Sequence, residues 1–164
     1  MGKVSLIKVG YAIYLPQNLF FYPRYVDLID EKSLISRPLV DNKEKDSYLY
    51  EILTFTGHWK ESSCNSKVYF TITGDEDSTE VRMLDPGWMD TLKKGTADSY
   101  VMKTPRPLGN MNYLRIWHDN SGRYNYASWY LSAMIVRDIQ TNEVFEFICN
   151  KWLAQEKGDQ QVPN

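Results

Sequence analysis

Hydrophobic and polar positions alternate along most of residues 47–155, in short runs separated by turn residues. In one such run, Val68, Phe70 and Ile72 take every second position, which is the pattern of a half-buried strand. The β-branched and aromatic content of the runs, and the Gly, Pro, Asn and Asp residues between them, are also typical of strands. The pattern predicts strands at 48–56, 67–74, 80–84, 98–104, 112–118, 128–138 and 143–152.

The predicted strand 128–138 has one of the clearest alternations. Trp129, Leu131, Ala133 and Ile135 take every second position, and we expect these four side chains to face the core. No long helical period separates the predicted strands. The sequence therefore predicts an all-β fold, a two-sheet antiparallel β-sandwich of about eight strands with an irregular N-terminal extension.

The length of 164 residues, 43% of them hydrophobic, is enough for one sizeable core. We expect an extension or linker at 1–46, the sandwich at 47–155 and a tail at 156–164. The extension ends in a charged, turn-rich run, "RPLVDNKEKD". Because it has no evident core of its own, we expect it to pack poorly or to adhere to the sandwich through Phe20, Phe21 and Tyr22.

Charge and composition narrow the function classes. A formal net charge of −2 argues against nucleic-acid binding driven by bulk charge. The two cysteines are too few for a disulfide framework and favour a reducing compartment, the cytosol.

The apolar stretch 11–22 is interrupted by Pro16 and is shorter than the roughly 20 residues that a spanning helix needs. We therefore expect neither a membrane span nor, from the first residues, a lipid anchor.

If consecutive strands run antiparallel, alternate connections lie at the same end of the sandwich. One end then carries the loops 57–66, 85–95 and 119–127, and the other end carries 75–78, 105–110 and 140–143. Binding residues commonly lie in loops that a rigid scaffold positions. The first set of loops is longer and richer in Trp and Lys, so the sequence predicts the functional site there.

Tryptophan settles at membrane interfaces, and lysine or arginine gains on the order of 1 kcal/mol near an anionic bilayer. The mixture of these residues in the first set of loops predicts a surface that contacts acidic lipid. The predicted lipid-binding residues are Trp59, Lys60, Trp88, Lys93, Lys94 and Arg123.

Calcium is a candidate cofactor at the same end. Asp119 and Asp90, with the backbone carbonyl of Gly57, are candidate ligands, because hard cations need several oxygens. The ion would lie between the loops 57–66 and 119–126. The acidic run "GDEDST" at the other end lacks the alternating ligands of an EF-hand loop and is expected to be a solvated turn.

A catalytic site is not expected. His118 precedes Asp119, and Ser121 or Cys64 could in principle serve as nucleophile, but no nucleophile-elbow motif is present. An Asx-turn closed by Asp119 or Asn120 is the simpler interpretation. The two tryptophans within predicted strands, Trp117 and Trp129, are expected to be core residues.

Five stretches occur in order from about residue 48 to residue 153: "YEILTFTGHW", "VYFTITG", "LRIWHDNSG", "SWYLSAMIVRDIQT" and "FICNKWL". Together they resemble a PLAT, or lipoxygenase-homology, domain of the kind found in polycystin-type proteins and the receptor for egg jelly. By this resemblance, Trp59 matches an exposed loop tryptophan of the family, although His58 is inserted before it here.

The resemblance implies a sandwich of two four-stranded sheets that is cytosolic and noncatalytic. It also implies binding to acidic phospholipids such as phosphatidylserine and phosphoinositides, assisted by calcium in some members. The domain would associate peripherally with the cytosolic face of a membrane, as part of an integral membrane protein of polycystin type. The alternative is a sandwich that binds a protein partner, such as a channel subunit or a trafficking adaptor, without lipid.

Overall fold

The computed structural model describes the backbone of residues 4–8 and residues 34–154. Nine strands form in this part of the chain. Their bounds are β1 Val4–Lys8, β2 Ser36–Pro38, β3 Tyr48–Thr56, β4 Val68–Gly74, β5 Arg82–Asp85, β6 Ala97–Thr104, β7 Met111–His118, β8 Trp129–Asp138 and β9 Val144–Leu153. Within the same residues, no helix has the length and apolar character needed to cross a membrane. The expected contacts of Phe20, Phe21 and Tyr22 lie outside the described residues.

The strands form two sheets that pack face to face. A four-stranded sheet has the order β1-β7-β4-β5, and a five-stranded sheet has the order β2-β6-β3-β8-β9. This arrangement confirms the predicted all-β two-sheet sandwich. Two details differ from the expectation: the second sheet has five strands, and β2 pairs with β6 in a parallel direction. The fold is therefore not purely antiparallel.

The core lies between the sheets and is built from the inward faces of seven strands. Val68, Phe70 and Ile72 of β4 are fully buried in it, as their alternation predicts. Tyr50 of β3 reaches across this core, and its hydroxyl accepts a hydrogen bond of 2.8 Å from the backbone amide of Leu108. Burial of these large side chains supplies the main driving force for the fold.

The predicted inward face of β8 is only half right. The pairing of β8 with β9 shifts register between Leu131 and Ala133, which is a β-bulge. Before the bulge, Trp129 and Leu131 face the core; after it, the core residues are Met134 and Val136. Ala133 and Ile135 are also buried, but they lie on the opposite, outer face of the sheet. One extra residue in the strand exchanges the faces of all the residues that follow it.

Two strands lie within the range predicted as an extension. β1 pairs with β7 at one edge of the four-stranded sheet, and β2 pairs with β6 at one edge of the five-stranded sheet. Both strands are short. They have only five and three residues, which is too few for an alternation of hydrophobic and polar positions to stand out in the sequence.

The two strand tryptophans have different environments. Trp129 is fully buried, and its indole nitrogen donates a hydrogen bond of 3.0 Å to Thr56 Oγ1, as expected for a core residue. Trp117 is not in the core, which corrects the expectation. It lies half-buried on the outer face of the four-stranded sheet, stacked on Tyr69 with the Arg115 guanidinium 5.4 Å from its ring. Leu114 and Ile116 of β7 face the core, so Trp117, one position after Ile116, faces outward.

Candidate functional site

The three loops predicted to share one end of the sandwich are joined there by backbone hydrogen bonds. Gly95 N donates to Gly57 O at 2.9 Å, and Cys64 N donates to Leu92 O at 3.0 Å. The third loop joins through Asn65 N, which donates to Tyr126 O at 2.9 Å. We call the loops 57–66, 86–96 and 119–128 the aromatic end, and the loops 75–81, 105–110 and 139–143 the opposite end.

Buried side chains hold the loop 119–128 against the loop 57–66. The hydroxyl of Ser66 donates to the Ala127 carbonyl at 2.7 Å and accepts from the backbone amide of Gly122 at 2.9 Å. The side-chain oxygen of Asn65 accepts from Arg123 N at 3.1 Å. Because polar side chains of one loop satisfy the backbone of the other, these two loops form one structural unit.

Two buried carboxylates anchor the loop 86–96 at its ends. Asp85 accepts hydrogen bonds from Gly87 N at 2.6 Å and from the hydroxyl of Thr91. Asp98 accepts a bond of 2.9 Å from Leu92 N. Burial raises the pKa of both carboxyl groups above the ordinary range. The tip of the loop, between these two anchors, projects into solvent.

The predicted lipid-binding residues are all exposed at the aromatic end. Trp88 has 76% of its surface exposed. Lys60, Lys94 and Arg123 are likewise exposed, and Lys93 forms an ion pair of 3.5 Å with Asp90. These side chains all belong to loops at the same end of the sandwich.

Trp59 is partly exposed and partly packed against the sandwich. Its side chain is 49% exposed, and its ring packs edge-on against Tyr130 with centroids 6.2 Å apart. The Tyr130 ring lies directly over Gly57, where any Cβ would collide with it. Gly57 is therefore required for the packing that supports Trp59. Trp59 is both a surface residue and part of the packing below it.

Tyr124 is an exposed aromatic residue that the sequence analysis missed. It is 93% exposed, the largest exposed fraction among the described large hydrophobic side chains. Its backbone adopts a left-handed conformation, with φ 58°, which is rare for an aromatic residue. Tyr126 is exposed beside it. The stretch "RYNY" is the signal that could have identified these residues, because it places aromatics next to a cation in a loop.

The predicted calcium ligands have other partners in this structure. Asp119 Oδ1 accepts hydrogen bonds from Lys67 N and Ser121 N, which closes the expected Asx-turn. Gly57 O already accepts from Gly95 N and from the Ser62 hydroxyl, and Asp90 is paired with Lys93. Among the residues that the structure describes, no group of three or more His, Cys, Asp and Glu side chains could hold a metal ion.

A cleft of about 300 Å³ lies where the three loops meet. Its lining consists of Ser63, Cys64, Asn65, Lys93 and Tyr126. Among the described residues, the lining supplies an ammonium group, a hydroxyl, a thiol, an amide and a phenol but no carboxylate, although Lys93 also pairs with Asp90 beside the cleft. Such a lining favours an anion over a cation, because the lysine attracts negative charge and the other groups can donate hydrogen bonds.

The candidate catalytic groups have structural roles. His118 is buried, its Nδ1 accepts from Asn120 N at 3.0 Å, and its Nε2 therefore carries the proton and donates to Leu153 O at 2.6 Å. Burial lowers the pKa of His118. Burial also raises the pKa of the Cys64 thiol to about 12, so this thiol is not an activated nucleophile.

Residues 50–162 match the model of the PLAT/LH2 domain family. The chain belongs to this family. The PLAT domain is 35% identical over 127 residues to Location of vulva defective 1 of Caenorhabditis elegans, covering 75% of this chain and 4% of that protein. It is 33% identical over 138 residues to human polycystin-1-like protein 3, covering 84% of this chain and 8% of that protein. It is 31% identical over 155 residues to the mouse polycystin family receptor for egg jelly, covering 92% of this chain and 7% of that protein.

Solved structures share the fold of this PLAT domain. An arachidonate-bound lipoxygenase superposes with a TM-score of 0.59 at 18% identity, covering 66% of this chain and 15% of that one. Coral 8R-lipoxygenase is described as activated by calcium through a C2-like domain. It superposes with a TM-score of 0.55 at 20% identity, covering 63% of this chain and 15% of that one. The domain spans less than a tenth of its curated relatives named above. The family and the polycystin relatives point to a noncatalytic domain.

Proposed function

We propose that this PLAT domain binds the surface of membranes that contain acidic phospholipids, and that it does so with the aromatic end. One observation carries the proposal: Trp88 and Tyr124 are each more than three-quarters exposed on two loops of the same end, beside exposed cations. Indole and phenol rings favour the interface between water and lipid, where one part of the ring is buried and another is hydrated.

The cleft between the loops suits the phosphate group of a lipid head group. Lys93 supplies a positive charge, and Ser63 and Asn65 supply polar side chains beside it. Phosphatidylserine and phosphoinositides both present such a phosphate, and the second adds further negative charge, so we expect phosphoinositides to bind more tightly.

The domain would associate peripherally with the cytosolic face of a membrane, within an integral membrane protein of polycystin type. Calcium is not needed for this mechanism, because the cations and the aromatic side chains contact the lipid directly. A calcium contribution, as described for the coral lipoxygenase, would require oxygen ligands in addition to those of Asp119 and Asp90.

Co-sedimentation with liposomes tests the proposal. Vesicles of phosphatidylcholine alone, with phosphatidylserine, and with a phosphoinositide are each mixed with the folded domain, with and without calcium. We expect sedimentation with both acidic compositions, little with phosphatidylcholine, and no large effect of calcium. If no composition binds, the same exposed aromatics would serve the alternative function, which is docking of a protein partner such as a channel subunit or adaptor.

A further inference from the structure

The outer face of the four-stranded sheet carries a second group of aromatic side chains, away from the loops. Three alternate positions of β7 that face outward hold Tyr113, Arg115 and Trp117. Residues that face each other in an antiparallel pair share one face of the sheet. The residues of β4 opposite these three positions are, in the same order, Thr73, Thr71 and Tyr69. We call these six side chains the outer platform.

Stacking on aromatic rings holds the guanidinium of Arg115. Its central carbon lies 5.4 Å from the centre of the Trp117 ring. That ring is stacked on Tyr69, with centroids 6.0 Å apart and an angle of 24° between the planes. Both rings are half-buried, whereas Arg115 is exposed. Because a guanidinium stacked on an indole keeps its N–H donors at the edge of its plane, those donors stay available to an acceptor.

The positive charge of Arg115 is not balanced within the described residues. Four of the six arginines in residues 34–154 form an ion pair with a carboxylate: Arg37 with Asp98, Arg82 with Asp41, Arg106 with Asp77 and Arg137 with Glu51. No carboxylate of that part of the chain pairs with Arg115, and none of the six platform residues is Asp or Glu. An exposed cation on such a surface is complementary to an anionic ligand.

The charge and the shape of the outer platform favour a carboxylate on an extended peptide. One guanidinium can bind one carboxylate through two parallel hydrogen bonds, whereas a nucleic acid requires several cations along its backbone. Tyr69 and Trp117 are half-buried in the sheet face, whereas Trp88 at the aromatic end is 76% exposed. The platform rings therefore protrude too little to insert among lipids, but they can pack against a side chain laid over them.

The spacing of the platform residues specifies the order of side chains in such a peptide. Alternate residues of a strand lie about 6.8 Å apart, and the same distance separates alternate side chains of an extended peptide. If an acidic residue lies at Arg115, the side chains two positions before and after it lie over Tyr113 and Trp117. Tyr113 is 40% exposed, so both neighbours of Arg115 offer aromatic surface to an apolar side chain.

We propose that the outer platform docks an extended acidic segment of a partner protein, in which the order is apolar, any residue, acidic, any residue, apolar. The carboxylate binds Arg115, and the two apolar side chains pack on Tyr113 and Trp117. This inference does not depend on lipid binding, because the outer platform belongs to β4 and β7, whereas the proposed lipid contacts belong to the loops of the aromatic end.

Fluorescence polarisation with labelled synthetic peptides tests the proposal on the full chain. The peptides form a library with the stated order of residues, and each acidic peptide has a matched form with Asn or Gln in place of the acid. We expect the best acidic peptides to bind at least tenfold more tightly than their amide forms, and Arg115→Gln to remove this difference. Arg115→Lys keeps the charge but loses the planar fork, so it should retain only part of the difference.

Arg123→Gln is the matched control, an exposed arginine at the aromatic end, and it should leave peptide binding within twofold. Circular dichroism and a melting curve establish that each variant is folded. A library in which no peptide requires Arg115 for binding would overturn the proposal. Weaker vesicle binding by Arg115→Gln in place of weaker peptide binding would overturn it as well, because the platform would then contact lipid. So would a loss of peptide binding in Arg123→Gln, which would place the docking surface at the aromatic end.

Discussion

The two ends of the sandwich stabilise their loops in different ways. At the opposite end, exposed ion pairs and polar contacts join the loops, such as Arg106 Nε to Asp77 Oδ2 at 2.6 Å and Asn110 N to Asp75 Oδ1 at 2.7 Å. At the aromatic end, buried groups such as Ser66 hold the loop backbones while large aromatic side chains face solvent. The polar contacts of the opposite end only close its turns, whereas the aromatic end exposes an aromatic surface on loops that are held from below.

Left-handed backbone conformations are also concentrated at the aromatic end. Among the described residues, six that are not glycine have positive φ, and four of them, Glu61, Leu92, Asn120 and Tyr124, lie at the aromatic end. A left-handed conformation is unfavourable by roughly 1 kcal/mol or more for Glu61, Leu92 and Tyr124, whereas asparagine adopts it more readily. Strain of this kind persists only where surrounding contacts maintain it, and it is commonly found at functional sites. The comparison therefore supports the aromatic end as the binding surface.

The strongest test of the comparison reverses charge at one end at a time. Lys60→Glu with Lys94→Glu should weaken binding to phosphatidylserine vesicles at least tenfold at low salt, since each lysine near an anionic surface contributes about 1 kcal/mol. The matched variant is Lys43→Glu with Lys45→Glu, which makes the same change of charge near the opposite end. It should leave binding within twofold. Equal losses in both variants would mean that only net charge matters.

Removal of the exposed rings should have a smaller effect that salt does not change. Trp88→Ala and Tyr124→Ala should each weaken vesicle binding about three- to tenfold at every salt concentration, because screening over about 8 Å acts on charges and not on rings. The melting temperature should stay nearly constant. Tyr113→Ala is the control, an exposed aromatic on the outer face of the four-stranded sheet, and it should leave binding unchanged.

Trp59→Ala separates packing from surface contact. Its half-exposed ring packs on Tyr130, so we expect a loss of about 1 kcal/mol in the free energy of unfolding together with a two- to threefold loss of vesicle binding. Chemical denaturation and co-sedimentation measure the two effects. A variant that loses binding with no loss of stability would show that Trp59 acts only at the lipid, as the sequence by itself suggests.

The smallest predicted effect concerns pH. Burial lowers the pKa of His118 below its ordinary value of 6.5, so the unfolded state binds a proton before the folded state does. Stability is thus fully present above about pH 6.5 and falls below it, by at most about 1.4 kcal/mol per pH unit. His118→Gln, whose side-chain amide can donate to Leu153 O, should reduce this slope. Chemical denaturation of the wild type and of His118→Gln at pH 7.0 and pH 5.5 measures how the free energy of unfolding changes with pH. If the change is the same in both proteins, it arises from other titrating groups.

Local sequence pattern predicted the strands from β3 to β9 closely, because each of them alternates over several residues and ends at a turn former. It did not predict β1 and β2, whose pairing partners are distant in the sequence. The aromatic end was also predictable, since the order of strands determines which loops meet. The side chains that protrude most from those loops were only partly predictable, and Tyr124 was missed.

The errors share one physical cause. The β-bulge in β8 depends on the register against β9, and it exchanges the faces of Ala133 and Met134, which no alternation within β8 alone could indicate. The hydrogen bonds that Asp119 and Gly57 accept likewise depend on which groups the tertiary structure brings to them, which local sequence pattern does not indicate.

The sequence by itself determined the sandwich, its strands and the end at which Trp, Lys and Arg collect, because hydrophobic period and turn chemistry are local properties. Only the tertiary structure decided that Trp59 is half-packed, that Tyr124 is exposed on a left-handed backbone, and that a lysine in place of carboxylates lines the cleft. It also decided that Ala133 and Ile135 of the five-stranded sheet are buried, whereas Tyr113 and Arg115 of the four-stranded sheet are exposed. These features depend on distances between residues far apart in the chain, which packing of the two sheets sets.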